Sequence, residues 1–415
     1  MPEFNITIFS IIFLSVTLIS GVLGILLGMK GIIAVARHSP ATQPSGNITA
    51  DEDSQQGPED KGDSVPRVSV VVYASVTEET LTDYLSSLLS QDFKDFEVIV
   101  VYDATCEAAA SLSESFSGND KIRITFIPPG SHNLSRRKLA LTLGIKAARG
   151  EYVVTTAANC IIPGPSWLSE LTDPFFLDNK DVALGYSHIL YTELSGLQKW
   201  YKVFDAAITS MSWIGAAFDN KPYRGDGNNL AFRRSLFFSN KGYASNINLH
   251  SGEDDIFISE IADSSNTAMV LTPGTILTTF WGPSANRVLS ELKEQYEFTS
   301  HWLPVTPFLR LGWLSLSCWI EYLSVAAAIL CAIPCRCLSF PAASSWLLPA
   351  IIGLSLIIIL ETIKIIIYRT GARHIQAPRL WWSLPIFFLW HPVGNFFFRL
   401  SRHRRRYKNY TWHNL

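Results

Sequence analysis

The sequence predicts an α/β domain with a mostly parallel sheet, joined to α-helical membrane segments. Three observations predict it. Short β-branched runs alternate with helix-period segments between Val68 and Thr156, charge-free apolar runs stand near both ends, and a polar stretch separates the first of these runs from the alternating part. At 415 residues the chain has room for one sizeable domain besides membrane helices, since soluble domains usually run to about 100–200 residues.

In chain order, Phe4 to Met29 carries no formal charge, and about 20 apolar residues already cross a hydrocarbon core. The run is longer than a signal-peptide core, and Glu3 stands where a basic start belongs. Residues 1–36 therefore read as an uncleaved anchor, although Ala34-Val35-Ala36 imitates a cleavage site. Residues 37–67 turn to Pro, Gly, Ser, Gln, Asp and Glu, too polar to bury a core, and read as a disordered tether.

The main domain, 68–302, begins with a buried strand at Val68–Tyr73. Glu78 to Gln91 places Leu81, Tyr84, Leu85, Leu88 and Leu89 at helical spacing, and Phe96–Tyr102 is a second strand that Asp103 leaves. A third strand, Ile122–Ile127, precedes a helix over Lys138–Arg149 with Leu139, Leu143 and Ala147 on one face; Gly150 ends it and Glu151–Thr156 forms the next strand. Alternation of this kind places ligands at the carboxyl ends of the strands.

Residues 303–415 predict two more spans, Leu311–Leu330, interrupted only by Glu321, and Pro341–Leu360. The run Leu380–Phe398 holds Pro385, His391, Pro392, Gly394 and Asn395, which break helix hydrogen bonds, so an interfacial or re-entrant segment is expected there. The basic residues Lys30, Arg37, Lys364, Arg369, Arg373 and Arg379 place the main domain in the cytosol as part of a multi-pass inner-membrane protein.

The net charge of -2 hides a basic end, Arg399 to Lys408, which suits anionic lipid headgroups. No nucleic-acid motif accompanies it. The six cysteines are scattered; Cys331, Cys335 and Cys337 are unevenly spaced with no nearby His, which argues against zinc, and cytosolic disulfides are not expected. A transporter needs paired intramembrane charges, and Glu321 stands nearly alone.

Chemistry-bearing residues follow one another in a definite order: Asp103 after the second strand, the basic helix start Ser135-Arg136-Arg137-Lys138, Ala157-Ala158-Asn159 after the fourth strand, Gly225-Asp226-Gly227-Asn228-Asn229, Gly252-Glu253-Asp254-Asp255, and Gln295. Over roughly Val68 to Trp302 this series resembles the family-2 glycosyltransferases, whose nucleotide-sugar-binding domain is of the GT-A type. The resemblance implies that Asp103 contacts the nucleotide, that Lys138 and its neighbours face a diphosphate, and that Asp226 lies in a glycine loop beside the donor sugar. It also implies that Asp254, or Glu253 or Asp255 beside it, is the base taking the acceptor's proton.

Each position also has a plainer reading. Asp103 suits a turn or cap, the basic start a solvated turn, the glycine loop a turn before a helix, and the acidic run a helix amino terminus. The family expects Asp-x-Asp ligands for a divalent cation, but Ala157-Ala158-Asn159 stands there, with Asn159 left as a donor-site residue. The usual ligands are thus missing and the cofactor is unknown. Gln295 lacks the basic residues expected after it and suits an interfacial helix equally well. The implied function is inverting transfer of a sugar from a nucleotide sugar to a lipid-linked or glycan acceptor at the cytosolic membrane face, as in polysaccharide biosynthesis. The alternative is a catalytically impaired member serving as a binding or partner subunit of another protein.

Overall fold

The computed structural model describes residues 8–38, 67–103, 114, 116, 118–127, 135–196, 198–247, 249, 251–332, 347–380 and 383–409. The expected tether, apart from its two ends, the expected outer loop near Cys331–Phe340, apart from its first two residues, and the last six residues lie outside them. The chain opens with α1 (Ile8–Leu23), a π-helical turn (Gly24–Gly28) and α2 (Lys30–Arg37). The alternating part follows as β1 (Val68–Ala74), α3 (Glu78–Leu89), β2 (Phe96–Tyr102), β3 (Ile122–Phe126), α4 (Arg136–Ala147) and β4 (Tyr152–Ala157). Next come β5 (Cys160–Ile161), α5 (Trp167–Leu177), β6 (Val182–Leu184), β7 (Ser187–Ile189) and α6 (Lys199–Phe218). Then follow β8 (Leu230–Arg233), α7 (Arg234–Ser239), α8 (Asp255–Ile261), β9 (Thr267–Met269), β10 (Leu277–Thr279) and α9 (Ala285–Thr299). The apolar end carries α10 (Val305–Ala332), α11 (Leu347–His374) and α12 (Leu384–Asn409).

Two compact units result, one from Met1–Arg37, Leu197–Ala216 and Pro304–Thr411, the other chiefly from His38–Gly196 and Ala217–Leu303. The second is the α/β unit. Its seven-stranded sheet runs β3-β2-β1-β4-β8-β6-β9, and a small sheet runs β5-β10-β7. The strands from β3 to β4 are parallel and β8 alone opposes both of its neighbours, which is the mostly parallel sheet expected. β2 is buried along its whole length and β1 at every residue but Tyr73, which is why both read as continuous apolar runs instead of alternating ones.

Helix α3 buries Leu81, Tyr84, Leu85 and Leu88 as its spacing requires. Helix α4 differs from expectation: it covers the sheet with Lys138, Ala140, Leu141, Gly144 and Ile145, while Leu143 is half-buried and Ala147 exposed. Gly144 sets this face, since a Cβ there would run into Val71 and would lie 3.2 Å from Val101 Cγ2. A missing side chain, not a large one, brings α4 close to β1 and β2.

Among the described residues, the other unit contains three helices long and apolar enough to cross a membrane, Ile8–Gly28, Val305–Ala332 and Leu347–His374. Helix α6 belongs with them, its backbone meeting that of α2 where Gly215 faces Gly31. The expected break in the last apolar run is absent: α12 continues through Pro392. Its polar residues turn inward instead. His391 Nδ1 lies 2.9 Å from Ser315 Oγ of α10, and its Nε2 lies 3.3 Å from Asp205 Oδ1 of α6.

Two further expectations are corrected here. Lys364 is wholly buried, not a basic flank, and Glu321 is not alone. Lys364 Nζ donates to both Glu321 oxygens at 2.8 and 2.9 Å and to Glu361 Oε1 at 3.1 Å. Opposite charges that face each other inside a bundle escape the lipid that either alone could not. Lys364 therefore says nothing about orientation, which leaves Lys30, Arg37, Arg369, Arg373 and Arg379 to argue it.

Candidate functional site

The topology decides where the candidate residues meet. Strand β8 runs against β4, with Leu230 opposite Thr155, so the loop before β8 lies at the carboxyl end of β4. Thr155 Oγ1 donates to Gly227 O at 3.2 Å there. On the other side of β4, the Ala158 N–H donates to Tyr73 O at 3.0 Å, and the Tyr73 hydroxyl donates to Asp103 at 3.0 Å. Asp103, Asp226 and Asp254 are thereby arranged around one strand end, as expected for ligands of a parallel sheet.

Asp103 faces the start of α4. The Arg136 side chain grips it through Nε at 2.8 and 3.0 Å and through Nη2. Burial works against the Asp103 charge, but the Arg136 fork and Tyr73 hold its carboxyl below the ordinary aspartate range. Burial, with Asp103 beside it, pushes Tyr73 up to about 12, so the phenol stays a donor.

The three cations at the start of α4 have three different partners, which their adjacency in sequence conceals. A positive charge at a helix amino terminus is unfavourable unless something answers it. Arg136 answers Asp103. Lys138 is fully buried and donates to the carbonyls of Asn246, Leu249 and Ser251 at 2.6, 3.0 and 3.0 Å. It therefore anchors the backbone that leads to Gly252, and does not face a diphosphate. Arg137 Nη2 donates to Asn228 Oδ1 at 2.9 Å, and its Nε lies 3.3 Å from Glu253 Oε1.

Removing the Lys138 ammonium leaves three carbonyls without their donor. Lys138→Met is expected to destabilise the α/β unit by about 2–4 kcal/mol and to speed proteolysis between Asn246 and Ser251. An unchanged melting temperature and cleavage pattern would remove Lys138 from this anchoring role.

The glycine loop is a built structure, not a simple turn. Asp226 Oδ2 accepts from the Ser187 N–H and hydroxyl at 2.7 and 2.6 Å, and Oδ1 accepts from the Asn228 N–H at 3.0 Å. Asp226 thus ties β7 to the loop. Asn229 is fully buried, donating to Tyr186 O and Thr275 O at 2.9 and 2.6 Å and accepting from the Trp167 indole at 3.2 Å. Gly227 sits close to Arg137 and Asp254: a Cβ would lie 3.0 Å from Arg137 Nη2 and 3.2 Å from Asp254, so these side chains would have to give way.

Of the three adjacent acids, Glu253 and Asp255 are buried and Asp254 is half-exposed. Asp255 is paired with Arg224 at 2.6 Å and accepts from Thr299 at 2.8 Å; burial pushes its carboxyl up to about 7. Asp254 caps α8, its Oδ1 accepting from the Asp255 N–H at 2.8 Å, while Oδ2 accepts from the Gly227 N–H at 3.2 Å. Each oxygen keeps acceptor capacity. Among these acids, Asp254 alone combines exposure with contact to the glycine loop.

Arg224 was not singled out in the sequence. Its guanidinium sits 4.4 Å from the Tyr296 ring centroid, joining α9 to α8 through Asp255. The only hint was its place directly before Gly225-Asp226-Gly227. Gln295 lies on α9 beside this cluster, but Tyr296 and Thr299 make the contacts that the structure records there.

The residues at the metal motif do not fit a divalent cation. Ala157 and Ala158 are buried and offer no ligand atom, and the Asn159 amide donates to Phe280 O at 3.2 Å while its backbone carbonyl accepts from the Phe280 N–H at 2.8 Å. Asn159 fastens the end of β5 to β10. Among the described residues no group of three or more His, Cys, Asp or Glu is placed to hold a metal ion.

Residues 68–235 match the family model described as Glycosyl transferase family 2. That match takes in Asp103, Lys138, Asn159 and Asp226 and stops short of Glu253–Asp255 and Gln295. The chain is 35% identical over 89 residues to the uncharacterized glycosyltransferase EpsJ of Bacillus subtilis (strain 168), covering 21% of this chain and 25% of that one. It is 28% identical over 136 residues to an uncharacterized glycosyltransferase of Haemophilus influenzae, covering 32% and 41%. The match thus spans a quarter to two fifths of these relatives' length. Among solved structures, the mannosyltransferase PcManGT of Pyrobaculum calidifontis in complex with GDP-Man and Mn2+ is 17% identical with a TM-score of 0.47, covering 89% of this chain and 99% of that one. The S. aureus TarS 1–349 complex with UDP-GlcNAc is 14% identical with a TM-score of 0.40, covering 79% and 92%. Residues 68–235 are thus similar to glycosyl transferase family 2.

Proposed function

We propose that the chain transfers a sugar, with inversion, from a nucleotide sugar to a lipid-linked or glycan acceptor at the cytosolic face of the inner membrane. Asp254 carries this reading: it is the half-exposed acid at the strand end, held by the Gly227 N–H and next to Arg137. A carboxylate so placed takes the proton of an acceptor hydroxyl as that oxygen attacks the anomeric carbon. Asp103 and Tyr73, on the other side of β4, face the nucleotide. Cytosolic placement is supported by the remaining basic residues at the helix ends, Lys30, Arg37, Arg369, Arg373 and Arg379.

A second reading, a binding or partner subunit without turnover, is favoured by the buried Ala157 and Ala158 and by the engagement of Asn159 with Phe280. One experiment separates the two. Full-length protein in detergent is incubated with UDP- and GDP-linked sugars, and both melting temperature and released nucleoside diphosphate are measured. The transferase reading expects one donor to raise the melting temperature and to be turned over when acceptor lipid is present. Binding without turnover supports the partner reading, and an absence of any donor effect sinks the transferase reading.

A further inference from the structure

Sugar transfer from a nucleotide leaves negative charge on the departing diphosphate, and something positive must receive it. The strand end offers no ligand set for a divalent cation, yet the rest of the site is assembled. Resting on the proposed transferase reading, we infer that the Arg137 guanidinium takes the cation's place and receives the diphosphate, so that donor binding needs no metal ion.

Four observations lead there. Arg137 stands at the carboxyl end of β4, against Gly227, whose carbonyl is held by Thr155 two residues before Ala157. Both Asp254 and Tyr73 stand near enough to act on its charge. It is therefore placed within electrostatic reach of residues on the expected nucleotide and acceptor sides.

Second, Arg137 has donors to give. Arg136 is held on Asp103 by three hydrogen bonds and Lys138 on three carbonyls. Arg137, with five N–H groups, makes one recorded hydrogen bond, to the neutral amide of Asn228. Its Nε is buried without a hydrogen-bond partner, and so is Glu253 Oε2 beside it. The side chain is 26% exposed, enough to be reached from solvent.

Third, two of its acidic neighbours hold their charge against burial. Glu253 lies 3.3 Å from Arg137 Nε, and burial pushes the carboxyls of Glu253 and Asp226 upward. Fourth, Arg137 lies in the first turn of a 12-residue helix with no acidic residue there, so the helix end adds its own positive potential to that of the guanidinium.

The step balances without further reagents. The acceptor oxygen bonds to the anomeric carbon, the bond from that carbon to the diphosphate oxygen breaks, the electron pair leaves on that oxygen, and the hydroxyl proton passes to Asp254. Arg137 keeps its charge throughout and pairs with the leaving oxygens by charge-assisted hydrogen bonds.

The test measures binding of UDP and of GDP to the full-length protein in detergent, in excess EDTA and in excess Mn2+. Wild type is expected to bind one of them equally in both. Arg137→Gln is expected to weaken that binding by about 10- to 100-fold, Arg137→Lys by less, and Mn2+ to restore neither. Loss of wild-type binding in EDTA overturns the inference while leaving the transferase reading intact, and this arm depends on no variant. Wild-type affinity in a folded Arg137→Gln protein also overturns it. If wild type binds neither nucleotide under either condition, the transferase reading falls and the inference with it.

Discussion

Lys364→Met is expected to destabilise the helical unit by roughly 3–5 kcal/mol, the range for breaking a buried ion pair from one side. Lys364 and Glu321 are wholly buried and Glu361 nearly so, and the ammonium is bonded to both acids. Without it two carboxylates face each other between α10 and α11, where lipid offers no hydration. The loss is measured as a lower melting temperature in detergent and a lower yield of membrane-inserted protein. The triple variant Lys364→Met with Glu321→Leu and Glu361→Leu is expected to recover much of it, because an apolar cluster of similar volume often matches a buried ion pair or triad. A single variant as stable as wild type would show that Glu321 and Glu361 do not need this partner.

The same residues show where reading the sequence reaches its limit. Hydropathy counts a charge by its position along the chain, and Lys364 stands near the end of an apolar run, so it reads as a flank. What fixes its real place is Glu321, 43 residues earlier. The helix break expected within α12 failed in a related way. Pro392, His391 and Asn395 are helix breakers in lipid, but His391 finds Ser315 and Asp205, and nothing local announces those partners. By contrast β1, β2 and α3 were legible because their burial depends on the run itself: each residue's fate follows from the period of its neighbours.

The candidate site divides along the same line. Its order in the chain was legible and its division of labour was not. Arg136, Arg137 and Lys138 are equivalent as letters, and their partners lie 33, 91 and 108 residues away. Lys138 accordingly looked like a phosphate ligand and is an anchor. Asn159 reads as a donor-site residue in the sequence, and in the structure its amide fastens to Phe280, 121 residues on. Arg224 was missed because its significance is its pairing with Asp255 and Tyr296, which no spacing rule encodes.

Asp254→Asn is expected to lower the rate of sugar transfer by about 10²- to 10⁴-fold, the usual contribution of a positioned general base, with little change in donor affinity. The substitution is well suited to separate chemistry from structure. Asp254 caps α8 through one oxygen and accepts from the Gly227 N–H through the other. Asn caps helices about as well as Asp, so α8 is expected to stay in place, while the amide nitrogen of Asn cannot accept from Gly227 and donor affinity checks the loop. Asp255→Asn acts differently: it takes the charge from Arg224's buried partner, so its effect falls first on the melting temperature. Glu253→Gln removes an acid beside Arg137 and is expected to leave turnover within about tenfold of wild type, since it deletes neither the base nor a donor to the leaving group. If Asp254→Asn keeps turnover near wild type while Glu253→Gln abolishes it, the base is Glu253, and the exposed position of Asp254 has another purpose.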